Sequence, residues 1–166
     1  MSYNQDKNIH EPVAIVGIGC RYPGDVNNLE SFWQTIVKKK DLIGKIPPNR
    51  MGDTDALVDP NRTPGKIVND KGAYLNDIEK FDAEFFGISP LEAKHLDPQQ
   101  RLLLEIAFEA VEDAGIKHQK LSGSKTGVYI GLWTNDFEHR LANSGDDIDV
   151  YSTTGSGRYA ASGRIS

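Results

Sequence analysis

The stretch Asp97-Pro98-Gln99-Gln100-Arg101-Leu102-Leu103-Leu104-Glu105 sets the organisation of the chain, because it carries a helix start and the first turns of a long apolar face. The Asp97 carboxylate suits an N-cap, where it accepts from backbone N–H groups that have no partner in the first turn. Pro98 suits the first helical position, where a missing N–H costs nothing. From there Leu102, Leu103, Ile106, Ala107, Ala110, Val111 and Ala114 fall on one side, and Gly115 ends the run. Leu104 and Phe108 widen the apolar surface, so the helix should pack against more than one neighbour. Arg101, Glu105, Glu109 and Glu112 are left as a stripe for water. Glu105, Glu109 and Glu112 share that stripe, and a solvated face explains them better than a pair of catalytic carboxylates.

Upstream, Ser89-Pro90-Leu91-Glu92 supplies an N-cap, a proline at the first helical position and a glutamate at the third, a capping-box pattern opening a short helix. Phe81, Phe85 and Phe86 just before it read as core. Downstream, Thr126-Gly127-Val128-Tyr129-Ile130-Gly131-Leu132 reads as a buried strand. Near the start, Val13-Ala14-Ile15-Val16 followed by Gly17 has the same character, a short apolar run bounded by glycine. Leu29, Phe32, Trp33, Ile36 and Val37 then follow helical spacing, with Asn28 placed to cap and Lys38-Lys39-Lys40 at the C-terminal end, where cations suit the helix dipole. Between residues 41 and 77, turn chemistry such as Pro47-Pro48, Asp59-Pro60-Asn61 and Pro64-Gly65 predicts a surface excursion with a small hairpin near Ile67 to Leu75. Strand, helix, excursion, helix, strand is the order of an α/β domain with parallel pairing and helices on the sheet faces. Residues 1–10 read as a disordered polar lead, and the folded domain as 11–166.

Composition excludes several classes. The 166 residues carry 19 Lys plus Arg against 24 Asp plus Glu, a net charge of −5, and no face-sized basic cluster. Nucleic acid and anionic membrane surfaces are therefore poor partners. The longest apolar run, Val13 to Cys20, is far short of a membrane span. Leu, Ile, Val and Phe make up a quarter of the chain, enough to bury a core. One cysteine cannot form an internal disulfide, and a reducing, cytoplasmic setting is the expectation.

No residue set assembles a catalytic site. Gly17-Ile18-Gly19 follows the first predicted strand, but Tyr22 stands at the sixth position and Pro23-Gly24 delays the helix that a pyrophosphate would need. Gly155-Ser156-Gly157 with Ala160 has looser glycine spacing and reads as close helix packing or an interface segment. Cys20 reads as a packed thiol. His10, His95, His118 and His139 share no metal spacing. Ser156 and Ser162 lack a nucleophile elbow. No catalytic, cofactor-binding or metal-ligating residue is assigned.

Glu11-Pro12-Val13-Ala14-Ile15-Val16-Gly17-Ile18-Gly19-Cys20-Arg21-Tyr22-Pro23-Gly24, Phe32-Trp33, Phe81-Asp82-Ala83-Glu84-Phe85-Phe86-Gly87-Ile88-Ser89-Pro90 and the opening Asp97 to Glu105 stretch occur in one order. Together they resemble the N-terminal part of a β-ketoacyl synthase, most closely the ketosynthases of modular type I polyketide synthases, from Glu11 to Ser166. The resemblance implies a thiolase-like α/β fold, a parallel or mixed sheet flanked by helices, present here in incomplete form. It implies decarboxylative Claisen condensation of acyl and malonyl units on acyl carrier protein, as in polyketide and fatty acid biosynthesis. A nucleophilic cysteine would take acyl chains from a phosphopantetheine arm, and two histidines would assist. The Asp-Thr-Ala-Cys-Ser-Ser nucleophile motif and both histidine motifs are expected beyond Ser166, and Cys20 matches a non-catalytic position. The expectation is a truncated ketosynthase, inactive alone and holding no cofactor. The alternative is an interaction module that pairs with itself or with an intact synthase through Gly155 to Gly163.

Overall fold

The computed structural model describes residues 12–51, 56–144 and 149–166. The predicted polar lead, residues 1–10, lies outside the described residues. The helices are α1 (Leu29–Val37), α2 (Pro48–Met51), α3 (Pro90–His95), α4 (Pro98–Asp113), α5 (Asp136–Ser144), α6 (Ser152–Ser156) and α7 (Ala160–Ile165), with a 3-10 turn at His118–Lys120. Strands β1 (Gly44–Lys45) and β2 (Lys71–Gly72) form a two-stranded antiparallel ladder, with Gly44 opposite Gly72 and Lys45 opposite Lys71.

Helix α4 organises the molecule, and both of its ends follow from local chemistry. Asp97 accepts from the Gln99 N–H at 2.7 Å, satisfying an orphan donor of the first turn. At the other end Gly115 is left-handed (φ +66°); its N–H donates to Glu112 O at 2.9 Å and that of Ile116 to Val111 O at 3.1 Å. These two bonds make a Schellman cap. Helix α7 packs along α4, α6 along α3, and α5 against α6. The tightest part of the core lies at the α3–α4 junction: Leu96 and Gln100 are fully buried, and His95, Asp97, Ser156 and Ala161 are buried around them, with Leu104 one turn further along α4.

Helix α1 forms as its spacing predicts. Asn28 and Ser31 complete a reciprocal capping box, Ser31 N–H donating to Asn28 Oδ1 at 2.8 Å and Asn28 N–H to Ser31 Oγ at 3.2 Å. The three lysines after it form a second Schellman turn. Lys39 is left-handed (φ +50°), its N–H donating to Ile36 O at 3.0 Å and that of Lys40 to Thr35 O at 3.1 Å.

The two predicted strands are the main departure. Residues 13–16 and 126–132 belong to no ladder, since a strand is defined by a hydrogen-bonded neighbour and neither segment has one among the described residues. Val13 is 94% exposed and Tyr129 equally so. The parallel pairing predicted for them is therefore absent among the described residues. The predicted local hairpin near Ile67 to Leu75 is also replaced: β2 pairs with the distant β1, and Ile67 forms a parallel bridge with Val58. Pairing ties the excursion back on itself at two points, the β1–β2 ladder and the Val58–Ile67 bridge.

Candidate functional site

The densest set of buried polar groups sits where α3 meets α4, and the glycine-rich segment predicted for close packing is docked there. Gln100, 2% exposed, donates from Nε2 to Gly155 O at 3.0 Å and to Gly157 O at 3.1 Å. Asp97 N–H donates to Gly155 O at 2.8 Å. A Cβ on Gly155 would lie 2.2 Å from His95 O, so only glycine permits this approach. Burial pushes the Asp97 carboxyl above the ordinary aspartate range, opposed by hydrogen bonds from the Gln99 backbone and side chain. His95 Nδ1 lies 3.0 Å from Leu91 O and 3.6 Å from a carboxylate oxygen of Asp149. Apart from the local Asp97–Gln99 and His95–Leu91 contacts, these hold one chain segment against another. None brings a nucleophile to a base.

An ion pair between α7 and α3 locks the same region. Arg164 of α7 donates to Glu92 of α3 at 2.7 Å and to Thr154 O at 3.3 Å. Glu92 therefore does not close the predicted capping box; Ser89 Oγ accepts from the Glu92 N–H at 3.1 Å, and the carboxylate is used by Arg164 instead. Between α4, α7 and residues 118–128 lies a cavity of about 500 Å³, lined among others by Phe86, Leu104, Phe108, Val111, Val128 and Ile165. Phe85, Phe86 and Phe108 pack edge to face beside it at 4.9–5.0 Å, but they are not the buried core the sequence predicts, since Phe85 is 56% exposed and Phe81 and Phe86 are half-buried.

The first glycine pair is also a packing device. Cβ atoms on Gly17 and Gly19 would fall 2.1 Å from Ala110 O and 2.4 Å from Ile106 O, which fixes the 17–19 backbone against α4. Ile18 N–H donates to the Asp113 carboxylate at 2.9 Å. Arg21 then grips Glu109 with both terminal nitrogens, one at 2.6 Å, and also donates to Cys20 O at 2.9 Å. That bidentate bond raises the Arg21 guanidinium above its ordinary range against the opposing effect of burial. The predicted solvated stripe is thus half covered. Burial raises the Glu105 carboxyl and lowers Arg101, whose Nη1 donates to Glu79 O at 3.2 Å. Charged residues repeat with helical period whether they face water or an arginine from a segment some 90 residues away, so spacing alone does not separate the two.

Cys20 is a buried free thiol. His95 is buried at the α3–α4 junction, His118 stacks obliquely 5.8 Å from Phe108, His139 lies exposed on α5, and His10 is outside the described residues. Among the described residues no cluster of His, Cys, Asp and Glu suits a metal, and no helix is long and apolar enough to cross a membrane. Ser156 donates to Ser152 O and is spent on helix α6. Sequence reasoning missed Gln100 as a buried clasp. Its place three residues after an N-cap, on a face otherwise apolar, was the available signal.

The buried helix-capping aspartate, the glutamine clasp and the glycines pressed on two helices make a packed scaffold without a catalytic constellation among the described residues. The family model "Beta-ketoacyl synthase, N-terminal domain" matches residues 10–166, and the chain belongs to that family. It is 46% identical over 159 residues to a phenolphthiocerol/phthiocerol polyketide synthase from Mycobacterium tuberculosis, covering 95% of this chain and 10% of that one. It is 45% identical to the highly reducing polyketide synthase PKS6 of Gibberella zeae, covering 94% of this chain and 6% of that one. The ketosynthase from module 6 of the bacillaene synthase of Bacillus subtilis superposes with a TM-score of 0.76 at 35% identity, over 92% of this chain and 24% of that one. The oxazolomycin ketosynthase domain OzmH KS7 of Streptomyces albus gives 0.76 at 32% identity, over 91% and 26%. The chain thus spans a tenth or less of these curated relatives and about a quarter of the solved ketosynthases.

Proposed function

We propose that this chain forms the N-terminal scaffold of a polyketide synthase ketosynthase, and that by itself it condenses nothing. The reaction it would serve is the decarboxylative Claisen condensation of acyl and malonyl units carried on acyl carrier protein, in a reducing cytoplasmic setting. In that role residues 13–19 and 126–132 are parallel strands of a sheet flanked by α4 and α7. The carrier protein and any homodimeric or intact-synthase partner belong to the same proposal.

The observation that carries it is the fate of the only thiol. Cys20 lies buried beside the Gly17–Gly19 segment that is pressed on α4, and its neighbour Arg21 is committed to Glu109. A nucleophile needs an approach path and a base. Cys20 borders an open depression lined also by Asn27, Asn28 and Glu109, but no hydrogen bond joins its thiol to a base among the described residues, and the nearby Glu109 carboxylate is held by Arg21. The test is incubation of the purified chain with acyl and malonyl carrier-protein donors: no β-ketoacyl product is expected, and product that disappears in Cys20→Ala overturns the reading.

Exposed apolar groups favour association as a second reading. Within the Gly155 to Gly163 stretch, Gly155, Ser156, Gly157 and Ala161 are buried in the chain itself, which leaves the exposed Arg158, Tyr159 and Gly163 to meet a partner.

A further inference from the structure

The sequence holds two hydroxyl–proline pairs, Thr63-Pro64 and Ser89-Pro90, and the fold treats them differently. Ser89 is spent on α3, where its Oγ accepts from the Glu92 N–H at 3.1 Å. Thr63 stands at the tip of a closed loop outside the helices. The neck of that loop is fastened by the Ile67 N–H donating to Leu57 O at 3.0 Å and the Asp59 N–H to Ile67 O at 2.9 Å. From Pro60 to Lys66 every residue is exposed. One carboxylate organises the tip: Asp59 accepts from the Asn61 N–H at 2.8 Å and from the Thr63 hydroxyl. The Thr63 bond is the main cause that holds the Asp59 carboxyl below the ordinary aspartate range, with the Asn61 N–H next. Compact surface loops closed at the neck and open at the tip belong to the least stable parts of a fold.

A protein kinase needs an acceptor hydroxyl on accessible, non-helical chain. Pro64 disfavours helical backbone at Thr63, and its missing N–H suits an enzyme that selects proline next to the acceptor. Arg62 and Lys66 place cations one residue before Thr63 and three after it, whereas Ser89 has Glu92 at that third position. We propose that Thr63 is a phosphorylation site for a proline-directed Ser/Thr kinase, and that phosphate there frees the loop tip from Asp59. The site lies outside the packing around α4 and stands whether or not the chain serves as a ketosynthase scaffold. The step transfers the γ-phosphoryl group of ATP: Thr63 Oγ1 forms the new P–O bond, the bond to the β–γ bridging oxygen breaks with ADP leaving, and the hydroxyl proton passes to the kinase's catalytic aspartate. The ester oxygen then has no proton to donate to Asp59, and a group of about −1.5 to −2 charge stands beside that carboxylate. Lys66, whose Nζ donates to Ala56 O at 2.7 Å, exchanges that contact at the neck for the phosphate.

The experiment is incubation of the purified 166-residue chain with ATP, Mg²⁺ and a cyclin-dependent kinase, followed by peptide mass mapping and hydrogen exchange. The expected result is a single phosphoryl group per chain, on Thr63. Thr63→Ser should accept it and Thr63→Ala should not, which separates loss of the acceptor from a loop disturbed by substitution. In the phosphorylated chain the N–H groups of Asp59, Asn61 and Ile67 should exchange about tenfold or more faster than in the unmodified chain, with exchange in α4 unchanged. No incorporation, incorporation at Ser89 in place of Thr63, full incorporation with unaltered exchange over residues 57–67, or faster exchange extending through α4 each overturns the proposal.

Discussion

At Gly155 the fold leaves no room for a side chain. The position a Cβ would take is 2.2 Å from His95 O, a backbone atom at the end of α3 that cannot swing aside. Gly155→Ala should therefore cost about 2 kcal/mol or more in urea unfolding, because the α6 segment must back away from Asp97 and Gln100. Gly163, inside α7 with nothing within 4 Å of its added Cβ, is the control. Gly163→Ala should stabilise by about 0.5–1 kcal/mol, since alanine loses less backbone entropy in a helix. Equal effects of the two substitutions would contradict the packing described for Gly155. Both glycines lie in one small-residue stretch of the sequence, and composition does not tell them apart. The difference is made by a carbonyl some 60 residues away.

Asp97 couples residue chemistry to pH. Its folded-state pKa is raised by burial, so the folded chain holds this proton more tightly than the unfolded chain does. The associated stability is present below the ordinary aspartate range and is lost as pH rises through the raised folded value. Asp97→Asn keeps an acceptor for the Gln99 N–H and carries no charge to desolvate. Its stability relative to the natural chain should therefore increase as pH rises from about 4, the aspartate reference value, and then level off. Unfolding midpoints between acid and neutral pH measure this, and a difference that stays flat or shrinks with rising pH would show that the carboxylate is not penalised by burial.

Elements with local causes were legible in the sequence. Helices α1, α3 and α4 carry their caps at Asn28, Ser89 and Asp97, and the Gly115 stop is a Schellman turn as the glycine suggests. The same turn after α1 is made without glycine: Lys39 adopts φ +50°. Lys39→Gly should then stabilise the chain by about 1 kcal/mol, the cost a side chain adds in the left-handed region, and thermal unfolding would register it. No change or a loss would mean that the Lys39 side chain contributes more than its backbone costs. Elements that depend on partners were not legible in this way. Val13 to Val16 and Thr126 to Leu132 have strand composition, but a strand forms only when a neighbour supplies its hydrogen bonds. Lys71–Gly72 pairs with Gly44–Lys45 because the excursion folds back across α2, a return that turn residues permit but do not specify.

For the whole molecule, the motif order identified the family, and the family model and the solved ketosynthases agree with it. The site is a different matter. Gln100 reads as an ordinary polar helix residue until Gly155 O and Gly157 O arrive beside its amide, and Glu109 reads as solvated until Arg21 reaches it. These are contacts across 55 and 88 positions, set by how the segments pack and not by local pattern. What they build is a platform around α4 whose single thiol is buried. In the proposed role the chain supports a ketosynthase without itself forming the acyl-enzyme bond. Intact-mass analysis of the chain after incubation with an acyl-pantetheine thioester tests it most directly. The account predicts an unchanged mass; an acyl adduct mapped to Cys20, lost in Cys20→Ala, would contradict it.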